Sequence, residues 1–252
     1  MKRIILLAVL FILTFSVSIV THLPVALVLD KLPLPKELTY QSASGSIWNA
    51  QLDDVYWQNL SLGSIYSQMQ WSSLLKGRVE VLVRAGRDSE LGYSLKGYAG
   101  GSINGWYARE VFASLPAKSV TDQLQLPIPI DGQGTLDLTL RDYQYQAPYC
   151  ASATGSLAWT SAQVTSPFLT LDLEQAIADF SCEDNTITAN GDQSSEQVSA
   201  EFEATLTGNG QYQTAAKFKP EAQFPANARG QLSWLGNPDA QGYYAFDYAG
   251  RL

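Results

Sequence analysis

The stretch Thr135-Leu136-Asp137-Leu138-Thr139-Leu140-Arg141-Asp142-Tyr143-Gln144-Tyr145 alternates apolar and polar side chains from end to end. A period of two places Leu136, Leu138 and Leu140 on one side of an extended chain, the pattern of a strand with one dry face. The signature recurs in both directions. Upstream, Ile65, Ser67, Met69 and Trp71 share a face, and Val79, Val81 and Val83 alternate with charged or larger residues across Arg78–Arg84. Gly86–Glu90 then reads as a turn, with Leu91–Lys96 as the returning hairpin partner. Downstream, Val198–Leu206, Gln211–Phe218 and Gln241–Tyr248 alternate again, and Leu169–Phe180 forms a run closed by Cys182. Composition agrees: 13 Tyr, 6 Trp and 9 Phe suit a pleated surface, and 19 Gly supply its turns. The expected fold is mainly β, a curved antiparallel sheet or a sandwich.

Helices are expected only as short pieces. Gly105–Leu115 gathers Trp106, Val111, Phe112 and Leu115 on one side and stops at Pro116. Ala117–Leu126 reads as a second short helix, up to the bend at Pro127-Ile128-Pro129. That bend suggests two lobes, 38–126 and 127–252, while the lack of a long linker suggests one continuous sheet. A glycine just before an aliphatic residue recurs in Gly45-Ser46-Ile47-Trp48, Gly155-Ser156-Leu157-Ala158-Trp159, Gly230-Gln231-Leu232-Ser233-Trp234 and Gly250-Arg251-Leu252. Its irregular spacing excludes a fixed-period solenoid; glycine relieves crowding where a strand begins or bends, and the aromatic behind it fills space.

The N-terminus is of another kind. Lys2 and Arg3 precede Ile4–Val20, 17 residues without a charge. That is the lower edge of what spans a bilayer core as a helix, roughly 17 to 25 residues. A cleaved secretory signal has the same outline, and Ser16 and Ser18 are small enough for a cleavage site. Apolar character resumes in Leu23-Pro24-Val25-Ala26-Leu27-Val28-Leu29, which favours an uncleaved anchor. The resulting plan is a cytoplasmic start at 1–3, a single transmembrane helix with its extension at 4–29, a neck at 30–37 ended by Pro33 and Pro35, and a β-rich body at 38–252. Positive residues stay on the cytoplasmic side, so the body lies across the membrane.

Charge and cysteines narrow the function. Taking Lys2 and Arg3 from 16 basic residues leaves 14 against 24 acidic ones, a balance of −10. An acidic body repels nucleic acid, which excludes DNA and RNA as partners. Cys150 and Cys182 stand 32 positions apart. In an oxidising compartment they are expected to pair, closing a loop that stabilises by about 3 to 4 kcal/mol. A metal site or catalytic thiol needs partners, and His22, the one histidine, sits at the edge of the anchor. No phosphate-cradling loop and no Ser/His/Asp set is present. The acid pairs Asp53 with Asp54, Glu183 with Asp184 and Glu201 with Glu203 fall in turns or on wet strand faces, where solvated charge is the ordinary reading. No catalytic residue, cofactor, metal or small-molecule substrate is therefore expected. Tyr40, Tyr56, Tyr66, Tyr98, Tyr143, Tyr145, Tyr243 and Tyr244 exceed what the interior can hold; they cover a curved sheet or line a contact surface.

The order of these elements resembles a family. A basic start, one apolar span, Leu23-Pro24-Val25-Ala26-Leu27-Val28, then Gly45-Ser46-Ile47-Trp48, then Leu62-Gly63 with Trp71 and Leu74-Leu75-Lys76-Gly77-Arg78, and the closing Tyr248-Ala249-Gly250-Arg251-Leu252 look like protein N of the bacterial type II secretion system. The resemblance covers the whole chain. It implies a bitopic inner-membrane protein whose periplasmic body partners other components of a machine that exports folded proteins across the outer membrane, with no catalytic residues to carry over. Gly-x-[Ile/Leu]-Trp elements also occur in β-rich periplasmic proteins of the AsmA type, and a carrier whose β groove takes a lipid or other apolar ligand is the alternative.

Overall fold

The computed structural model describes every residue except 1–6, 8, 9, 13, 16, 17, 20, 30, 32–34, 59, 104, 124–128, 231, 233–235 and 252. The strands are β1 Leu38–Ser46, β2 Asn49–Trp57, β3 Leu60–Met69, β4 Val79–Arg87, β5 Ser94–Ser102, β6 Gly105–Pro116, β7 Asp131–Gln144, β8 Ser152–Thr165, β9 Thr170–Glu183, β10 Thr186–Ser194, β11 Val198–Leu206, β12 Gln211–Pro220 and β13 Tyr244–Arg251. Short helices α1 Val25–Leu29, α2 Trp71–Leu74, α3 Ala117–Thr121 and α4 Ala226–Arg229 accompany them. Each strand pairs antiparallel with its sequence neighbours, so sheet order equals chain order across 13 strands. The architecture is thus mainly β and antiparallel, as one open sheet rather than two packed layers. β6 and β7 pair from Tyr107↔Gln144 to Pro116↔Thr135, so the sheet is continuous from the strands before residue 117 to those after residue 130; the expected bend over 127–129 lies largely outside the described residues.

Register makes the sheet two-faced. One residue from each strand forms a lateral row: Ala43, Leu52, Ile65, Ala85, Leu95, Ala113, Leu138, Leu157, Ala178, Gly191, Phe202, Ala216 and Phe246. Every member is apolar. One residue along, the row reads Ser44, Gln51, Tyr66, Arg84, Lys96, Phe112, Thr139, Ser156, Asp179, Asn190, Glu203, Ala215 and Asp247. The period of two therefore holds laterally as well as along each strand.

Bulges keep the two faces in phase, four of them at non-glycine residues. Asp54, Glu110, Ser161 and Glu174 have positive φ between 48° and 56°, and each coincides with a register shift in its ladder. An inserted residue bends the strand and steepens its twist. Glu110 also explains the one element of the wrong type. The expected helix over Gly105–Leu115 is strand β6. The extra residue at Glu110 slips the alternation by one, so Trp106, Val111 and Leu115 share the apolar face at intervals that imitate a helical stripe. The second expected helix exists as α3, and its continuation over 124–126 lies outside the described residues. In β4, Val79, Val81 and Val83 share the apolar face with Ala85, yet Val79 is 52 % exposed while Glu80 and Leu82 on the other face are buried. Trp71 likewise leaves strand β3 and opens α2.

Cross-strand glycine and aromatic pairs tighten the sheet. Gly155 faces Phe180 and Gly191 faces Phe202, and each ring lies over its glycine where a Cβ would overlap it. A side chain at Gly155 would also come within 2.6 Å of the Thr139 carbonyl oxygen. Such pairs let a ring cover bare backbone and pin register.

Burial is shallow. The accessible surface is 16474 Å², against about 11,000 Å² for a compact monomer of this mass. Buried clusters sit at the margins: one around Cys150, Ala153 and Cys182, another where α4 packs Ala228 and Phe224 onto Val198. Cys150 and Cys182 form the disulfide, Cα atoms 6.4 Å apart. It fastens the loop after β7 to β9, where Asn185 Oδ1 also accepts the Tyr149 and Cys150 amides at 3.1 Å.

Part of the expected anchor over 4–29, residues 4–6, 8, 9, 13, 16, 17 and 20, lies outside the described residues. Leu7, Leu10, Phe11, Ile12, Phe15 and Ile19 have helical backbone, and no helix among the described residues is long and apolar enough to cross a membrane. α1 starts directly after Pro24, which fits proline's tolerance at a helix start. The segment meets the sheet: the Ile47 amide donates to the Leu23 carbonyl at 3.1 Å, and Pro24 bridges to Ser46.

Candidate functional site

The densest polar constellation centres on Glu80, whose side chain is 4 % exposed. Arg109 donates to both carboxylate oxygens, Nη2 to Oε1 at 2.8 Å and Nε to Oε2 at 2.9 Å. Ser73 Oγ donates to Oε1 and Tyr107 Oη to Oε2, each at 3.0 Å. The fork geometry of guanidinium on carboxylate makes this the strong form of ion pair. Arg109 also lies over the Tyr98 ring at 4.1 Å, a cation–π contact that holds the guanidinium flat.

The electrostatics follow from these partners. The Arg109 hydrogen bonds, helped by Ser73 and Tyr107 and opposed by burial, bring the Glu80 carboxyl from 4.5 down to about 2. Arg109 is pushed up in return, chiefly by its bonds to Glu80, and Tyr107 is raised by burial and by the carboxylate it donates to. Glu80 is thus charged near neutrality with both oxygens partnered, and unsuited to proton transfer there. Its chemistry is mechanical: it ties α2 (Ser73), β4 (Glu80) and β6 (Tyr107, Arg109) together. Sequence reading misses it because Glu80 reads as a wet-face charge and Arg109, 29 positions away, falls in a stretch read as helix.

Of the singled-out residues Tyr98 joins this cluster under Arg109, and the acid pairs stay apart from it. Asp53 accepts from Gln51 at 2.6 Å and Ser42 at 3.2 Å beside the bulge at Asp54. Glu201 pairs with Lys217 at 3.0 Å on the polar face, and Asp184 with Asn185 makes the β9–β10 turn. Among the described residues no cluster of three His, Cys, Asp or Glu could hold a metal ion. Of the eight tyrosines, Tyr56 and Tyr145 are exposed, at 40 % and 44 %. The others are half-buried: Tyr66 carries Arg87, Tyr98 carries Arg109, Tyr243 lies under Lys217, and Tyr244 stacks on Phe218.

The fold is thus a single open antiparallel meander with one apolar face, one polar face and a pinned ionic cluster. Residues 36–247 match the family described as type II secretion system (T2SS), protein N. The chain is 40 % identical to the type II secretion system protein N of Vibrio cholerae over 252 residues, all of both chains, and 30 % identical to that of Aeromonas hydrophila, again over all of both. The protein of the same name from Pectobacterium carotovorum is 24 % identical over 245 residues, 96 % of this chain and 94 % of that one. No solved structure matches. The chain belongs to the type II secretion system protein N family.

Proposed function

We propose that this protein is a non-enzymatic subunit of the type II secretion system, held in the inner membrane by residues 4–29, with its N-terminus cytoplasmic and its body, 38–252, in the periplasm. The observation that carries this is similarity along the whole chain to proteins named for that system, apolar N-terminus included. The body supports export of folded proteins through contacts with other components of the system. Among the described residues β13 pairs on one side only, and β1 has beyond β2 only the bridge from Pro24 to Ser46 at its end, so each leaves ladder groups for strand addition by a partner. In-cell crosslinking from β13 positions such as Asp247, followed by identification of the captured chains, tests this. Recovery of secretion components during active export is the expected result, and capture of none would sink it.

One observation favours a second reading, a lipid or apolar-ligand carrier. The 13-residue apolar row is crossed by no second layer among the described residues, and Leu157, Phe202 and Phe246 on it are 37 to 42 % exposed. Native mass spectrometry of the purified full chain separates the readings: copurifying lipid supports the carrier, and a bare mass opposes it.

A further inference from the structure

Because the sheet is a plain antiparallel meander, the turns after β1, β3 and β5 lie on one rim and those after β2, β4 and β6 on the other. The first rim is where the chain arrives from its apolar N-terminus, through the Leu23–Ile47 and Pro24–Ser46 contacts. It also carries the three most exposed large apolar side chains of the described body, Ile103 at 100 %, Leu75 at 92 % and Trp106 at 70 %, with Trp71 at 57 % beside them. Exposed Lys76 and Arg78 follow Leu75, and no acidic residue occurs in 45–49, 70–79 or 101–106. The turns of the opposite rim hold Asp88, Glu90 and Asp122. With strands about 4.8 Å apart, the three turns span about 20 Å, so all lie close to the point where the chain meets the sheet.

We infer that this rim docks on the lipid surface, its Leu, Ile and Trp side chains entering the headgroup region and Lys76 and Arg78 meeting anionic lipid. Tryptophan with lysine or arginine is the composition of a membrane interface, where an amphipathic ring and a snorkelling cation are both satisfied. Isolated aliphatic residues at turn tips, fully exposed, have no such match in water. The rim is rigid. Trp48 and Trp71 stack at 3.7 Å, joining the first two turns. The Glu80 cluster joins the second to the third, through Ser73 on α2 and Tyr107 and Arg109 on β6. A rim held this way sets the tilt of the sheet against the bilayer and so decides which edge faces partners. The inference rests on the anchored reading for its continuity with the membrane.

The test uses the full chain reconstituted in phosphatidylcholine–phosphatidylglycerol vesicles containing brominated lipid. Residues 1–29 contain no tryptophan, so all fluorescence comes from the body. Expected is strong quenching in the parent, a loss of at least half of it in L75S/I103S, and no change in F168S, an exposed apolar site on the opposite rim. K76E/R78E should lose its quenching in anionic vesicles while L75S/I103S loses it in neutral ones too. Far-ultraviolet circular dichroism verifies folding of each variant. If the protein floats with vesicles but the parent is unquenched, or L75S/I103S is quenched equally, the rim inference falls and the anchor stands. If the parent floats and L75S/I103S stays in solution, the rim stands and the anchor falls. A parent that does not float at all overturns both.

Discussion

Replacing Arg109 with methionine keeps the aliphatic bulk over Tyr98 and removes the charge that Glu80 depends on. The buried carboxylate then keeps only Ser73 and Tyr107 as donors. The depression of Glu80 from 4.5 to about 2 corresponds to at most about 3 kcal/mol at pH 7. Arg109 is 38 % exposed, so solvent screening brings the expected loss to about 2 kcal/mol. The folded-state value is depressed, so the contribution is complete above about 4.5 and disappears as pH falls from there through about 2. At pH 3 more than half of it should be gone. Urea denaturation of the full chain in detergent, followed by tryptophan fluorescence, measures this for the parent, R109M, E80Q and E80Q/R109M. A coupling energy of about 2 kcal/mol is expected at pH 7, shrinking by at least half at pH 3. Single-variant losses that simply add at pH 7, or an R109M defect of equal size at pH 3, would refute the reasoning.

Gly155→Ala should cost about 1 to 3 kcal/mol, because its methyl meets the Phe180 ring and the Thr139 carbonyl, whereas Gly230→Ala, with open space around the new Cβ, should be near neutral. Thermal denaturation compares the two, and equal effects would dismiss the ring-over-glycine account. Removing the Cys150–Cys182 bond in C150S/C182S should lower stability by about 3 to 4 kcal/mol and abolish the mobility difference between reduced and non-reduced protein on gels. The native chain should begin at Met1 and resist salt extraction from membranes; a start near Ile19 with release by salt would remove the anchor.

What the sequence determined by itself is local. Alternation with period two identifies strands because it depends only on neighbours in the chain, and the run Val198–Leu206 is strand β11 residue for residue. The basic start, the apolar run and the order of the glycine-punctuated segments likewise carry the family without any coordinates. Tertiary structure alone decided what lies beside what. A bulge at Glu110 costs one residue of phase and converts the apparent helical stripe of β6 into part of the apolar face. The lateral row from Ala43 to Phe246 emerges only when twelve registers are aligned, each set by turn geometry and bulges. Glu80 turns inward because β5 and β6 bring Tyr107 and Arg109 over it, a pairing across 27 and 29 positions that no chain-local pattern encodes. Charge burial is a property of the assembled surroundings, and so is exposure, which places Leu75 and Ile103 fully in the open at one rim.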